Sequence, residues 1–484
     1  MALPLLLLAG CAAERPDVPA QAVRLTGIEN AITFRTEAEP MDWPPLPNGP
    51  LSREQAVRLA LTYDPRIQSS LAKVRVAEAD ANQARLLPNP LLTIDARWPL
   101  QSGTNFAIEP SLTMDLIAVL QKPALISAAD QRLREAAATA LVTVLDVIAE
   151  VENTYAAVRT LDNEIAIAER RLERLQRLRD LSRKRLDAGE ATRLDVLTFD
   201  AQWMQSRLDL SDLRLQRDQQ RLALAKLLNQ PRSNADWTLQ QWEAPAERSL
   251  APESAWIEAA LRNRPEVTAR VWELRALGAD LQLTNLAPLA GGELGAHAEK
   301  DPEWRIGPVW TTPVPIFDWG QAQRAKVQAE IIGARHDLAE QQLEIVQDVR
   351  TAYIGYVQSA TQLAYAQDQI LPMQRQQREQ AQLAYQAGEA DVTTLLLAEN
   401  ELDMTFSKIE ELQEKLTLSR IKLQRAAGGA GVAERTDAAV PVHPRPSTRP
   451  SPATTEESVT TTPAPLTRPF AEPTTSPAST GTEP

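Results

Sequence analysis

The apolar and polar positions of the chain follow two different rhythms. Over Leu92-Thr-Ile-Asp-Ala-Arg-Trp98 every even position is apolar and every odd one polar. Phe106, Ile108, Leu112, Met114 and Leu116 continue the alternation against Glu109, Ser111, Thr113 and Asp115. A period of two gives a strand one greasy and one wet face, so strands are predicted over about 91–98 and 106–117. Leu294, Ala296 and Ala298 alternate more weakly against Glu293, His297 and Glu299, and Trp304, Ile306 and Trp310 follow the Asp301-Pro302 turn. Two further strands are therefore predicted over about 293–300 and 304–315. Between the strand pairs the rhythm is that of a coiled coil. Leu161, Ile165, Ala168, Leu172 and Leu175 are spaced 4, 3, 4, 3; Leu208, Leu215 and Leu222 fall every seven; Ile409, Leu412, Leu416 and Leu423 continue a seam later in the chain. Long helices are predicted over about 123–187, 190–229, 320–386 and 389–427. A helix of some 65 residues is roughly 100 Å long, the size of a strut or tube wall. Pro372 lies inside the third helix and predicts a kink or break there.

These segments form a duplicated plan. Asp64-Pro65 reappears as Arg264-Pro265 and Leu87-Pro88 as Ala287-Pro288, each displaced by 200 positions. Ala188-Gly189-Glu190-Ala191 recurs as Ala387-Gly388-Glu389-Ala390, displaced by 199. Each half reads as short helix, two strands, very long helix, glycine-marked break and second long helix, over 51–245 and 246–430. Residues 11–50 are rich in Pro without periodicity and read as an extended arm. Residues 431–484 are dominated by Pro, Thr, Ser and Ala; too little apolar side chain is present to offset ordering entropy, so a disordered tail is expected.

Composition narrows the function. Aromatic residues are scarce at 5%. Leu, Ala, Gln, Arg and Glu crowd the middle, which suits long packed helices and a mainly α fold with a small β part. A net charge of −13 excludes nucleic acid as a partner, since phosphate neutralisation requires a basic surface. The single cysteine, Cys11, rules out a disulfide framework or cysteine metal cluster within one chain. It follows an apolar run and Leu8-Ala9-Gly10, the pattern of a lipoprotein signal peptide over 1–10, with Cys11 as the lipidated residue and outer-membrane lipid as a partner. No Lys or Arg precedes that run, a departure from the pattern. No later run of about 18 apolar residues marks a transmembrane helix, but spanning strands are only about 10 residues long and escape that test. His297, His336 and His443 have no His or Cys at ligand spacing. Neither a phosphate-binding glycine loop nor a nucleophile elbow is visible, so no enzyme, cofactor or metal site is expected.

Four strands cannot close a barrel, and an open sheet in lipid leaves unpaired backbone groups, each costing on the order of several kcal/mol. Several copies must share one barrel; two is a minimum, and three would give twelve strands. Trp98, Phe106 and Trp304 sit at strand ends, where interfacial aromatics belong.

Over roughly Leu51 to Gly429 the chain resembles the TolC family of outer-membrane factors. The resemblance is carried by the Leu-Ser-Arg-Glu-Gln-Ala-Val-Arg-Leu-Ala-Leu opening with Asp64-Pro65, Leu-Leu-Pro88-Asn-Pro90, Pro313-Val-Pro-Ile-Phe317-Asp-Trp-Gly320 and the paired Ala-Gly-Glu breaks. It implies a homotrimer whose twelve strands form a transmembrane β-barrel and whose twelve helices continue as a coiled-coil α-barrel across the periplasm. Such a channel passively conducts small molecules or metal ions delivered by an inner-membrane efflux pump through a periplasmic adaptor protein. The resemblance places adaptor docking at the tip, at Gly189, Glu190, Gly388 and Glu389. It places a pore constriction nearby, with Asp195 at a matching position and Thr394 and Leu397 where some relatives carry aspartates; Asp391 is an acid close by. That substitution makes a partly apolar constriction the expectation. The Arg-rich stretch Glu169–Asp180 reads as a solvated coiled-coil face. Two alternatives stand beside this reading: a periplasmic coiled-coil adaptor or scaffold lipoprotein, disfavoured by the duplication and strand pairs, and a protein-secretion channel.

Overall fold

The computed structural model describes residues 13–28, 32–35, 49–98, 106–230, 235–240, 250–300 and 303–438. Cys11 and most of the Pro/Thr/Ser-rich segment lie outside the described residues. Helix α1 (Val18–Thr26) is followed by α2 (Arg53–Tyr63), α3 (Pro65–Arg85), strands β1 (Leu91–Arg97) and β2 (Ala107–Asp115), and helices α4 (Leu116–Asp187) and α5 (Arg193–Leu227). The second half repeats the order with α6 (Glu253–Asn263), α7 (Pro265–Leu283), β3 (Glu293–Lys300), β4 (Trp304–Thr311), α8 (Gln321–Tyr365), α9 (Leu371–Ala387) and α10 (Val392–Ala427), and α11 (Ala430–Ala438) ends the described chain. The molecule is mainly helical with one small antiparallel sheet in the order β1-β2-β3-β4.

Several boundaries differ from the sequence expectation, each for a local reason. Leu116 is helical rather than the end of a strand, because Asp115 caps α4 by accepting from Ala118 N at 2.8 Å. Pro123 is therefore inside α4, where it offers no N–H to the carbonyl of Val119. The single short helix expected before each strand pair is two helices, split at Asp64-Pro65 and Arg264-Pro265, where the residue before proline is extended. The arm contains α1, with Asp17 as N-cap and Gly27 in the left-handed conformation as C-cap, and Val18, Ala22 and Thr26 buried. Residues 431–438, expected in the tail, belong to α11, which packs on α1 and α6. β4 ends at Thr311, as Pro313 and Pro315 cannot donate to a ladder.

The sheet keeps its two faces in register across all four strands. Leu92 lies opposite Leu112, Leu112 opposite Ala296, and Ala296 opposite Pro308, so the even-numbered apolar positions share one face. That face is exposed: Ile94, Leu112, Ile306 and Trp310 are open to the surroundings. Gly295 is required where β2 and β3 join the halves, because a Cβ there would collide with the carbonyl oxygen of Leu112.

The main core lies below the sheet. Leu133, Leu141, Val144, Val151 and Tyr155 form a buried stripe of α4 against α2, α3 and the end of α5. Each such side chain contributes about 1.5–3 kcal/mol of transfer free energy. Tyr155 Oη donates to Leu51 O at 2.9 Å and Gln240 O at 3.1 Å, fastening the short Leu51–Leu239 bridge to the long helix. A smaller core gathers Trp256, Ile345, Val349 and Leu423 in the second half.

Candidate functional site

Both helical hairpins end in the same turn. Ala188–Glu190 and Ala387–Glu389 close α4 and α9 with a left-handed glycine, Gly189 and Gly388, each at φ 78°. Glu190 N donates to Arg185 O at 2.8 Å, and Glu389 N to Ala384 O at 2.9 Å, which satisfies a helix-terminal carbonyl in each. Only glycine takes this backbone without a Cβ penalty. Gly189, Glu190, Gly388 and Glu389 are all exposed.

The acids named for the constriction have local work at the following helix starts. Asp195 forms a capping box with Thr192: Thr192 N donates to Asp195 Oδ2 at 2.8 Å, and Asp195 N to Thr192 Oγ1 at 3.3 Å. Asp391 caps α10, accepting from Val392 N at 2.7 Å and from Thr393 Oγ1 at 2.9 Å. Thr394 and Leu397 are exposed one turn on, three residues apart on the same side of α10. Leu194 and Leu197 are likewise exposed on α5, so both hairpins present leucine near the tip.

Sequence reading missed what joins the hairpins. Leu175 and Phe199 of the first pack with Tyr385, Val392, Leu395 and Leu396 of the second in a buried cluster. The Arg185 guanidinium lies 4.9 Å from the Tyr385 ring centroid. Above the cluster is a cross-hairpin ion network. Arg174 bonds Asp403 and stands 3.4 Å from Glu399, Arg378 bonds Glu399 at 2.8 Å, and Arg171 bonds Asn400 at 2.9 Å. Glu399 and Asp403 are buried. Burial pushes the Asp403 carboxyl above its ordinary range, opposed by Arg174 and Arg171. The Arg-rich stretch is thus only partly a solvated face: Arg177 makes an exposed pair with Glu173 at 3.1 Å, whereas Arg174 ties two helices together. The available signal was Glu399 and Asp403, four apart on the apolar-facing side of α10.

The heptad leucines also divide. Leu161, Ile165, Ala168, Leu172 and Leu175 are buried or half-buried within the chain, and Ile409, Leu412 and Leu423 are buried. Leu208, Leu215 and Leu222 are 57–62% exposed, because α5 turns Val196, Phe199, Ser206, Leu210 and Leu224 inward instead. A stripe on α8, Leu343, Ile354 and Val357, is exposed as well.

At the opposite end, Trp98 and Phe106 touch, with centroids 5.3 Å apart, and Lys300 Nζ lies 5.8 Å from the Trp304 ring centroid. The register puts all three aromatics at the hairpin end of the sheet. Among the described residues no helix is long and apolar enough to cross a membrane.

Comparison with known proteins places this architecture. A relative described as the pyoverdine export outer membrane protein OpmQ of Pseudomonas aeruginosa is 25% identical over 314 residues, covering 60% of this chain and 63% of that protein. The chain thus spans under two thirds of that relative. The outer-membrane channel OprN superposes with a TM-score of 0.66 at 20% identity, covering 87% of this chain and 97% of that one. The outer membrane protein VceC of Vibrio cholerae superposes at 0.65 with 17% identity, covering 78% and 96%. The fold is the one these outer-membrane proteins share. The family model described as outer membrane efflux protein matches residues 56–230 and 303–429, more than half of the sequence. The chain belongs to the outer membrane efflux protein family, a family of efflux channels and not of enzymes.

Proposed function

We propose that this chain is the outer-membrane exit duct of a tripartite efflux system, closed as a homotrimer and anchored through lipid on Cys11. The observation that carries the proposal is an architecture left open on both sides. β1 and β4 are sheet edges without partner strands among the described residues, and the sheet presents a continuous apolar face. The hairpins below present the unpartnered stripes of α5 and α8. One further copy on each side covers both strips, and three copies make a twelve-stranded barrel continued by helices. α4, with 72 residues, is about 110 Å long, enough to carry a conduit well away from the sheet.

The duct is passive and takes cargo from an inner-membrane pump through a periplasmic adaptor that docks at the exposed glycine turns. Exposed Leu194, Leu197 and Leu397 favour a partly apolar constriction, with Asp195 and Asp391 held as caps. Pyoverdine export, named for one relative, favours small-molecule cargo over protein. The test is reconstitution of the purified full chain in planar bilayers with mass measurement of the detergent-solubilised particle. Stepwise conductance from a particle of three chains is expected. A soluble monomer that leaves bilayers silent would sink the proposal.

A further inference from the structure

Three arginines far apart in the chain meet around one cavity. Arg24 of α1, Arg262 of α6 and Arg435 of α11 line a space of about 350 Å³ together with Gln21, and Ala138 and Leu141 of α4 lie in its wall. Among the described residues no Asp or Glu lines it. The volume is at the lower end of the range for small-molecule sites.

The meeting is built into the backbone. α11 reaches the end of α1 because two glycines permit it: a Cβ on Gly429 would collide with Leu25 O, and one on Gly431 would stand 2.9 Å from Arg24 O. Arg435 Nη1 then donates to Arg24 O at 3.1 Å. That bond sets one guanidinium against the C-terminal carbonyls of α1, where a cation is favoured, and leaves its other N–H groups for a second acceptor.

The charges of the cavity are unbalanced. Arg24 and Arg435 have no carboxylate partner among the described residues. Arg262 pairs only with Glu258, one turn earlier on α6, and the two side chains are 70% and 71% exposed. An ion pair that open to water is weak and readily exchanged for another anion. Close by, Arg264 and Arg425 each hold Glu266 and a second acid, Asp348 or Asp146. Acids outnumber bases in the chain, 64 to 51, so carboxylates for pairing are plentiful. Cations gathered without a counter-charge repel one another, and a bound anion removes that cost.

We infer that this cavity binds a small soluble oxyanion with two or more negative charges, a phosphate or a polycarboxylate, held by the guanidinium groups of Arg24, Arg262 and Arg435. The planar fork of arginine matches both oxyanions, and Gln21 adds a neutral donor. Ala138 follows Leu116, the first residue of α4, by 22 positions, about 33 Å along the helix. With the sheet in a bilayer, lipid headgroups do not reach that far, so the ligand is a solute; this step alone rests on the barrel reading above. Arg24 belongs to the N-terminal arm, Arg262 to the second half and Arg435 to the C-terminal helix, and the anion fastens all three together.

The test is calorimetric titration of the detergent-solubilised full chain with inorganic phosphate and, separately, citrate, at constant ionic strength in chloride. One saturable site per chain is expected for at least one probe. Arg24→Gln and Arg262→Gln should each weaken it at least tenfold, whereas Lys73→Gln, which removes an exposed cation of α3, should leave it unchanged. Without the anion, Arg24→Gln should melt with the parent chain, because that guanidinium holds no carboxylate; the rise in melting temperature on adding the anion should be lost. Binding of phosphate alone or of citrate alone supports the inference and names the chemistry. No saturable binding of either probe, or binding that survives Arg24→Gln, would overturn it. Conductance is read separately, so the channel and the anion site fail independently.

Discussion

The two halves of the chain share one geometry and almost none of the interactions that hold it. In the first half Asp64 caps α3, accepting from Arg66 N at 2.7 Å; Arg66 pairs back onto Asp64 and reaches Glu150 of α4 at 2.6 Å. In the second half the same junction reads Arg264-Pro265-Glu266 with the charges exchanged. Arg264 holds Glu266 at 3.0 Å and reaches Asp348 of α8 at 3.0 Å. A proline-led helix start is tied to the long helix in both, with the cation in different places. Ser52 begins α2 with a capping box, whereas Pro252 begins α6 without a side-chain cap. α4 runs unbroken for 72 residues, and its counterpart is divided by a π-turn over Ala366–Ile370. Duplication has kept backbone requirements, the left-handed glycines and the extended residue before proline, and let side chains find new ways to meet them.

The largest effect should come from the buried cation of the second junction. Arg264→Ala leaves Glu266 facing only Arg425, and should cost about 3 kcal/mol, the low end for breaking a buried pair because Arg425 remains at 2.7 Å. Asp64→Ala loses a cap and a pair to a half-exposed arginine, and should cost about 1–2 kcal/mol. Denaturant melts of the detergent-solubilised protein read both. The paired change Asp64→Arg with Arg66→Glu should recover most of the loss by rebuilding the second-half pattern toward Glu150. No recovery would mean that the two junctions are not interchangeable solutions.

The tips should respond alike. Gly189→Ala and Gly388→Ala each place a Cβ at φ 78° in open space, so strain alone is added, about 1–2 kcal/mol. Amide hydrogen exchange at the two turns checks this. Unequal losses would show that one turn is held by contacts beyond its own backbone.

Next comes the seam between the halves, where Glu164 of α4 faces Glu410, Glu411 and Glu414 of α10. Burial pushes the Glu164 carboxyl up, and the three glutamates add to it; burial and Glu411 do the same to Glu414. Nearby, Asn163 Nδ2 donates to Glu410 at 2.9 Å, and Lys408 pairs with Glu411 at 2.7 Å. A carboxyl raised in the folded state binds its proton there first. Its contribution is therefore full below the ordinary carboxylate value and lost as pH rises through the raised one. Melts from neutral pH downward should show this seam tightening on entering the carboxylate range, and Glu414→Gln should flatten that dependence. A seam that loosens on mild acidification in the parent chain would contradict the assignment.

How much of this was legible in the sequence differs by element. Alternation from Leu92 to Met114 specified the strands and their shared apolar face, because a period of two is set by the backbone itself. The long helices were legible from heptads, but the partners of those heptads were not. Leu208, Leu215 and Leu222 have the spacing of a seam and face away from their own chain, and only packing shows that α5 has a second stripe through Phe199 and Leu210. α1 was hidden because nine residues among prolines carry too short a period, although Asp17 and Gly27 were readable caps. At the tip, the glycines were legible as turns. The Arg174, Glu399 and Asp403 network was not, since it joins positions more than 200 residues apart, and a charged run on one helix does not name its partner.

The smallest effect concerns the one break in helix continuity that separates the halves. Pro372 has no N–H for the carbonyl of Asp368, and the wide turn over Ala366–Ile370 comes just before it. Pro372→Ala offers a new donor, worth about 0.5–1.5 kcal/mol, and returns conformational freedom to the unfolded chain, worth about 0.4–1 kcal/mol in the other direction. The two nearly cancel, so stability should barely move. Position matters more than energy here. Closing the π-turn to a regular helix would rotate α9 by about 100° against α8, since one residue of the wide turn would be absorbed. That rotation would carry buried Tyr385 out of its cluster with Phe199 and Leu395. The cluster and the Arg378–Glu399 bond should therefore hold the wide turn open, and exchange protection at the tip of α9 should match the parent chain. Faster exchange around Tyr385 in Pro372→Ala would show that the proline, not the tip packing, maintains the difference between the two hairpins.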